Sequence, residues 1–431
     1  QSLWRQRRID RHNQRDEGAS TVAQWTPARL QQWTLDQIHR YPRPLWLLAS
    51  ANLVLFTARG MVLPFLVIFF GQVVGLGEGL VGAGLAVAAT CGVVFTLVLA
   101  GTIDRFGARP VLIATVAGLG LAYLAFAWGT TPERFLALMI LFGLFGNLYW
   151  PASDALATSF LPPARAGEVF ALLRVANATG IGAGGLIGGV LVSGGGLPEY
   201  RQLYLLSGCL VFLAAGLILM LVRSPGRAAR AAREDAPALF GWREVMRDRW
   251  FILSQVILFI LVTAFTQIQV SVPPYLRESA GVEERVIGGL FAVNTLIVVV
   301  AQVPVARSLS GRRYGLTFAL AGVIWGLSYA LFALSPWLSE LAFLAMIVYT
   351  LAELLFMPAS GAIIVELAPE GLRGRYLAFS SVVWGLSWGS SSWAAGQVLE
   401  SSRPILLWPG LIALLLVGAV VSLLLDRRPK R

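Results

Sequence analysis

Charge is scarce in this 431-residue chain: only 13% of its residues are Asp, Glu, Lys or Arg, about half of the roughly 25% usual in a soluble domain. That is too little to coat the two to four globules that a soluble chain of roughly this length forms. Cysteine is nearly absent, and Cys91 and Cys209 lie in separate apolar runs, so no disulfide framework is built. Histidine is confined to His12 and His39, ahead of the first long apolar run. No H-E-x-x-H, metal-ligand cluster or nucleophile–base pair stands within the apolar segments, which argues against an enzyme and a resident cofactor. No ATP-binding motif is present either, so any work must draw on an ion gradient or on the substrate itself. The net charge of +11 lies in loops between apolar runs, not in the single basic stripe that marks a nucleic-acid binder.

What the chain has instead is apolar length. Hydrophobic residues make up 57% and the mean hydropathy is +0.71. A membrane-crossing helix needs about 20 mostly apolar residues. Such runs occur near 45–70, 80–101, 110–130, 134–158, 168–193 and 202–222, then near 250–276, 286–306, 314–336, 340–366, 376–399 and 404–425. The expectation is an all-α integral membrane protein with twelve spans in two groups of six. Transmembrane strands are excluded, because the runs are long and lack polar alternation.

With both ends of the chain inside, only Arg134, Arg201, Arg277, Arg285 and Arg403 fall in outer loops, while most of the 34 basic residues fall inside. The positive-inside rule therefore places both termini and the 223–249 loop in the cytoplasm. No apolar signal-peptide run follows the basic start of the 1–43 tail, and the opening at Gln1 rather than methionine fits residues missing upstream. Thr26-Pro27 has the form of a helix start, and Leu30, Trp33, Ile38 and Tyr41 fall near one face, which predicts a helix on the inner membrane surface. Trp242, Val245, Met246 and Trp250 predict a similar short helix at the end of the 223–249 loop.

The two groups repeat. Pro151-Ala152-Ser153 in the fourth span recurs as Pro358-Ala359-Ser360 in the tenth, an offset of 207 that also carries Pro162 onto Pro369 and Gly167 onto Gly374. At an offset of 208, Arg105-Phe106-Gly107 matches Arg313-Tyr314-Gly315. The expected layout is a 1–43 tail, a bundle over 44–222, a linker over 223–249, a second bundle over 250–426 and a short basic tail over 427–431. Two repeated bundles suit a carrier that binds between its halves and rocks them.

The residues after the second span, Ala100-Gly101-Thr102-Ile103-Asp104-Arg105-Phe106-Gly107-Ala108-Arg109-Pro110, resemble the signature loop of the major facilitator superfamily, G-x-x-x-D-R-x-G-R-R. Ala100 stands at its first glycine and Ala108 at its first paired basic residue. The resemblance implies that Asp104 clamps the cytoplasmic side when the carrier is open outward, against the eleventh helix around Gly374-Arg375. A carboxylate facing a helix N-terminus suits the helix dipole. In the fifth span Gly180, Gly184, Gly185, Gly188 and Gly189 resemble the superfamily's antiporter motif G-x-x-x-G-P-x-x-G-G, with Gly185 in place of the proline. The plainer reading of these glycines is close helix packing. Arg59 to Pro64 and Ala352-Glu353 are similar to positions used by bacterial multidrug/proton antiporters. Gly180, Gly182 and Gly185 also spell G-x-G-x-x-G, but no strand or βαβ unit surrounds them.

Ionisable groups inside spans cost roughly 2.5–3.5 kcal/mol each and are functional candidates by default. Glu353 lies about 13 residues, roughly 20 Å, from the outer end of its span. It is the expected proton carrier, with Arg59 at comparable depth as its counter-ion or as the partner of a substrate anion. Asp154 and Arg174 are secondary candidates as partners across the fourth and fifth spans, although snorkelling towards the cytoplasmic ends explains them too. Asn177, Gln255, Gln267, Asn52 and Asn294, with Trp150, Trp384 and Tyr149, supply a lining that is aromatic with few polar groups and suits amphipathic ligands.

The expected function is proton-coupled export of lipophilic compounds by a monomeric carrier in a bacterial cytoplasmic (inner) membrane, among membrane lipids. A carrier of another substrate, such as a lipid, siderophore or small metabolite, is the alternative. The topology has a direct check, with Cys91 and Cys209 first replaced by serine. Leu197→Cys and Gly281→Cys are expected to react with an impermeant thiol reagent from outside the cell, and Asp235→Cys is not.

Overall fold

The computed structural model of the chain describes residues 41–162, 165–221, 242–309, 313–369 and 372–428. Residues Leu47–Arg431 form one compact unit. Of the unit before it, the described part is the short stretch that opens the first helix, where Tyr41 meets Trp46 edge-on with centroids 6.0 Å apart. The surface helix expected over Leu30, Trp33 and Ile38 falls outside the described residues, as do most of the 223–249 linker and the end of the 427–431 tail.

All regular structure among the described residues is helical. The long helices are α1 (Arg43–Val67), α2 (Glu78–Phe106), α3 (Ala108–Phe126), α4 (Pro132–Thr158), α5 (Ala166–Leu191) and α6 (Leu197–Leu221). They continue as α7 (Arg249–Val270), α8 (Glu284–Ser308), α9 (Tyr314–Leu334), α10 (Leu341–Leu367), α11 (Arg373–Glu400) and α12 (Leu407–Ser422). Eleven of these segments are long and apolar enough to cross a membrane by themselves. The other, α11, has the length, at 28 residues, but its serines and glycines dilute its hydropathy.

Local chemistry sets the helix ends. Thr131 caps α4 ahead of Pro132 and accepts from the Arg134 amide. Asp248 caps α7, accepting from the Trp250 and Phe251 amides at 3.1 Å, and Tyr376 of α11 donates to its other oxygen at 3.1 Å. Gly107 joins α2 directly to α3 with φ +93°, a conformation that disfavours any residue with a Cβ. The short helix expected in the linker is present as Trp242–Arg247, with Val245 buried and Met246 exposed. The seventh apolar run does not continue to 276: α7 ends at Val270 and a separate short helix covers Val272–Ala280. Pro273 and Pro274 lack the N–H groups that would carry α7 onward, but are tolerated in the first turn of a new helix. At the far end of α1 the chain forms one π-helical stretch, Ile68–Val73, and Gly75 and Gly77 then turn it into α2 with φ near +80°.

The antiporter-like glycines of α5 serve two faces at once. A Cβ added at Gly180, Gly184 or Gly188 would run into Leu53, Thr57 and Met61 of α1. One added at Gly182, Gly185 or Gly189 would run into Thr295, Phe291 and Glu284 of α8. Spacings of four on one face, and of three and four on the other, thus let α5 sit between two helices at backbone contact. Helix α2 plays the same part against α11, with Gly82 on Ser392 and Gly396, Ala89 on Gly389 and Val93 on Gly385.

These two seams, α2–α11 and α5–α8, join the groups α1–α6 and α7–α12, and burial along both falls in the same direction. Gly82 and Ala89 are buried, Val93 is half-buried, and Leu97 is 60% exposed. Gly189, Gly185 and Gly182 are buried, Ala178 is half-buried, and Val175 is 46% exposed. The halves are therefore closed at the end that carries residues 72–79, 193–200 and 272–284, and spread at the other.

The glycine contact has a stability consequence. Gly184→Leu is expected to lower the stability of the purified protein by about 1–3 kcal/mol or more, the usual cost of overpacking. Gly216→Leu, where an added Cβ meets nothing within 4 Å, is expected to leave the thermal unfolding midpoint nearly unchanged.

Candidate transport site

Glu353 sits in α10 one turn before Pro358 and faces α8. Asn294 Nδ2 donates to Glu353 Oε2 at 2.8 Å and to Thr350 Oγ1 at 2.9 Å, and Thr350 donates back to the Met346 carbonyl. One asparagine thereby fixes two side chains that lie three residues apart on one helical face. Arg174 of α5 is close enough for its charge to bear on Glu353, without an ion pair within 4 Å among the described residues. The carboxylate belongs to the second group of helices and the guanidinium to the first.

Arg59 occupies a different setting from the one expected. Its guanidinium carbon stands 5.7 Å from the Phe56 ring centre and 5.9 Å from that of Trp150. Both distances suit a cation–π contact. Trp150 is 43% exposed and meets Phe56 and Tyr149 edge-on at 5.8 and 5.3 Å. Behind them Tyr149 donates to Asn52 Oδ1 at 3.0 Å. The first group thus offers a cation framed by aromatic rings, and the second a carboxylate held by an amide. The structure pairs neither Arg59 with Glu353 nor Asp154 with Arg174 as an ion pair within 4 Å among the described residues. Asp154 is exposed.

The other candidates divide. Trp384 packs edge-on to Phe265 at 5.8 Å and against Phe356 at 6.1 Å, forming an aromatic floor in the second group. Asn177 Oδ1 and Gln255 Oε1 are buried polar atoms without a hydrogen-bond partner among the described residues. Gln267 is spent locally on the Thr263 carbonyl and on Ser271. Asp104 lies in the last turn of α2, and its side chain falls outside the described part. Arg105 lies over the Phe106 ring at 5.2 Å, and Arg109 donates to the Leu219 carbonyl, tying α3 to the end of α6. In the second group Asp426 does the corresponding work, accepting from the Gly315 and Leu316 amides at 2.9 and 3.0 Å. That carboxylate at a helix N-terminus has no sequence signal, since more than a hundred residues separate the partners.

A polar network at the closed end is also invisible in the sequence. Gln72 donates to Glu78, to Glu278 and to the Pro274 carbonyl, and accepts from Arg277. Arg277 pairs with buried Glu284 at 2.8 Å. Glu400 of α11 accepts from the Gly79 amide of α2 at 2.8 Å, and Gln397 donates to the Gly79 carbonyl.

The model of the Major Facilitator Superfamily matches residues 48–392 and, in a second alignment, 268–431. The chain belongs to that superfamily. The transporter is 29% identical over 357 residues to a Na(+), Li(+), K(+)/H(+) antiporter of Planococcus maritimus, covering 76% of this chain and 82% of that one. It is 25% identical over 389 residues to the multidrug resistance protein MdtH of Aeromonas salmonicida, covering 88% and 94%. Among solved structures, a POT family transporter in complex with 5-aminolevulinic acid superposes with a TM-score of 0.72 at 12% identity, over 90% of this chain and 96% of that one. That likeness shows the fold alone; it is membership of the superfamily that makes this chain a membrane transporter rather than an enzyme.

Removing the Asn294 amide tests its hold on Glu353. A hydrogen bond to a charged group contributes about 1.5–3 kcal/mol, so Asn294→Ala is expected to slow transport about tenfold or more. The protein should remain folded, as checked by its elution and thermal midpoint in detergent.

Proposed function

We propose that this transporter is a secondary-active exporter that exchanges lipophilic or amphipathic compounds for protons by alternating access. The observation that carries the reading is Glu353, a carboxylate at mid-depth in α10, held by Asn294 of α8 and within the field of Arg174 of α5. The positive-inside distribution puts both termini on the cytoplasmic face of a bacterial inner membrane. The closed end is then external, and the conformation faces inward. The working halves are the six-helix bundles 44–222 and 250–426, within a monomer.

A proton drives a conformational change only when the two conformations bind it differently. Glu353 and Arg174 belong to different halves, so rocking those halves changes the field that the carboxylate feels. Protonating Glu353 removes its attraction to Arg174 and eases movement of the halves; releasing the proton restores it. Exposed Trp150, backed by buried Phe56 and Tyr149, gives a lipophilic compound apolar surface, and Arg59 offers a cation to an anionic group. Asp104 then acts in the opposite conformation, when the inner ends of α2 and α11 approach. The relative named as a multidrug resistance protein supports this substrate class.

The relative named as a monovalent cation/proton antiporter favours a second reading, in which Na+, Li+ or K+ takes the place of the lipophilic compound. Proteoliposomes under an imposed pH gradient distinguish the two. A fluorescent lipophilic cation is expected to move in wild type, and Glu353→Gln is expected to reduce that movement at least tenfold, because glutamine keeps the size but exchanges no proton. Unimpaired pH-driven transport by Glu353→Gln overturns the proton role. Movement of Na+ or K+ without movement of the lipophilic cation establishes the second reading.

A further inference from the structure

We infer that Glu78 and Glu278 form a proton-sharing pair across the closed end, so that the pH of the external face decides whether the two halves stay shut there. The inference rests on the orientation proposed above, but not on the role of Glu353.

The geometry begins at Gln72, which the π-helical stretch after α1 carries into the seam. Its Nε2 lies 3.1 Å from Glu78 Oε1 and 3.1 Å from Glu278 Oε2. Glu78 belongs to the first half and Glu278 to the short helix Val272–Ala280 of the second. Two carboxylates that grip one amide nitrogen are neighbours, and Glu78 bears directly on Glu278 through both its charge and hydrogen-bond contact. Two negative charges at such a separation disfavour one another, and a single shared proton turns the repulsion into a hydrogen bond.

The surrounding charges are already engaged. Arg277 gives its Nε to Glu284 of α8 at 2.8 Å and its Nη1 to Gln72 Oε1 at 3.0 Å. Tyr200 of α6 faces the Arg277–Glu284 pair. Glu400 of α11 accepts from the Gly79 amide, in the first turn of α2, where a helix N-terminus favours an anion. Arg277 is therefore the cation that bears on Glu278, while carboxylates arrive from α2, α8 and α11.

Protons have access. A cavity of about 250 Å³ lies beside the pair, lined by Glu78, Tyr275, Glu278 and Glu400 among others. Glu278 is exposed and Glu78 is buried. Glu278 lies outside the membrane-spanning helices, and partial removal from water, followed by the effect of neighbouring Glu78, raises its carboxyl above the ordinary range. The sign follows. A group whose proton affinity is raised by the closed seam stabilises that seam while protonated, and the stabilisation is lost as external pH rises through the raised value. Acid outside then favours the inward-facing state, and alkali favours opening to the outside.

The test places spin labels at Ser193→Cys and Glu283→Cys, exposed positions on opposite halves, in the full chain with Cys91 and Cys209 replaced by serine. Distance distributions are read in lipid nanodiscs from about pH 5 to about pH 9, a range that brackets a raised carboxyl. The expected result is a growing long-distance population as pH rises. Glu278→Gln and, independently, Glu78→Gln should hold the short distance throughout, because an amide bridges without repulsion. The response is expected to persist in Glu353→Gln, which separates the gate from the coupling site. A wild type whose distances ignore pH, or a Glu278→Gln protein that keeps the wild-type response, overturns the inference. So does a pH response lost in Glu353→Gln alone.

Discussion

Everything in this transporter depends on the absence of water around most of its length. In hydrocarbon the backbone must satisfy its own hydrogen bonds, so the spans are helices. With lipid as apolar as leucine, burying apolar side chains no longer pulls those helices together, and close van der Waals contact does so instead. The seams are therefore built where side chains are smallest. Helix α5 presents Gly180, Gly184 and Gly188 to α1 and Gly182, Gly185 and Gly189 to α8. Large apolar side chains are left facing outward, as at Met220 and Val300, 82% and 68% exposed.

The same scarcity of water sorts the charges. At the closed end carboxylates and an arginine crowd together, because each finds an amide, a helix N-terminus or an opposite charge within hydrogen-bond reach. Deeper in, few ionisable groups remain, and two of them have specific settings: Glu353 against Asn294, Arg59 against two aromatic rings. A charge at that depth without such a setting costs several kcal/mol, so the settings are conditions for the charges being there at all.

Closed at one end and spread at the other, the molecule separates two kinds of contact between its halves. The glycine seams are short-range and tolerate sliding poorly, so they fix where the halves meet. The polar contacts of the Gln72 network at the closed end are of another kind, hydrogen bonds that run directly from one half to the other. In the proposed cycle such contacts are what a proton would act on, since a ligand shifts a carrier only by binding its two conformations differently.

The sequence by itself determined the class, the span positions and the two-fold repeat, because run length and arginine placement are local properties that the bilayer reads directly. It also singled out Glu353, since an acid in an apolar run stands out by its cost. It placed the end of the seventh span several residues too late, because Pro273-Pro274 interrupts a helix without interrupting an apolar run. Only the tertiary structure decided the partners. Asn294 holds Glu353, Asp426 caps α9, and Gln72 joins Glu78 to Glu278. Each of these contacts links residues on different helices, far apart in sequence, and which side chains meet depends on helix rotation and crossing, quantities that no single segment contains.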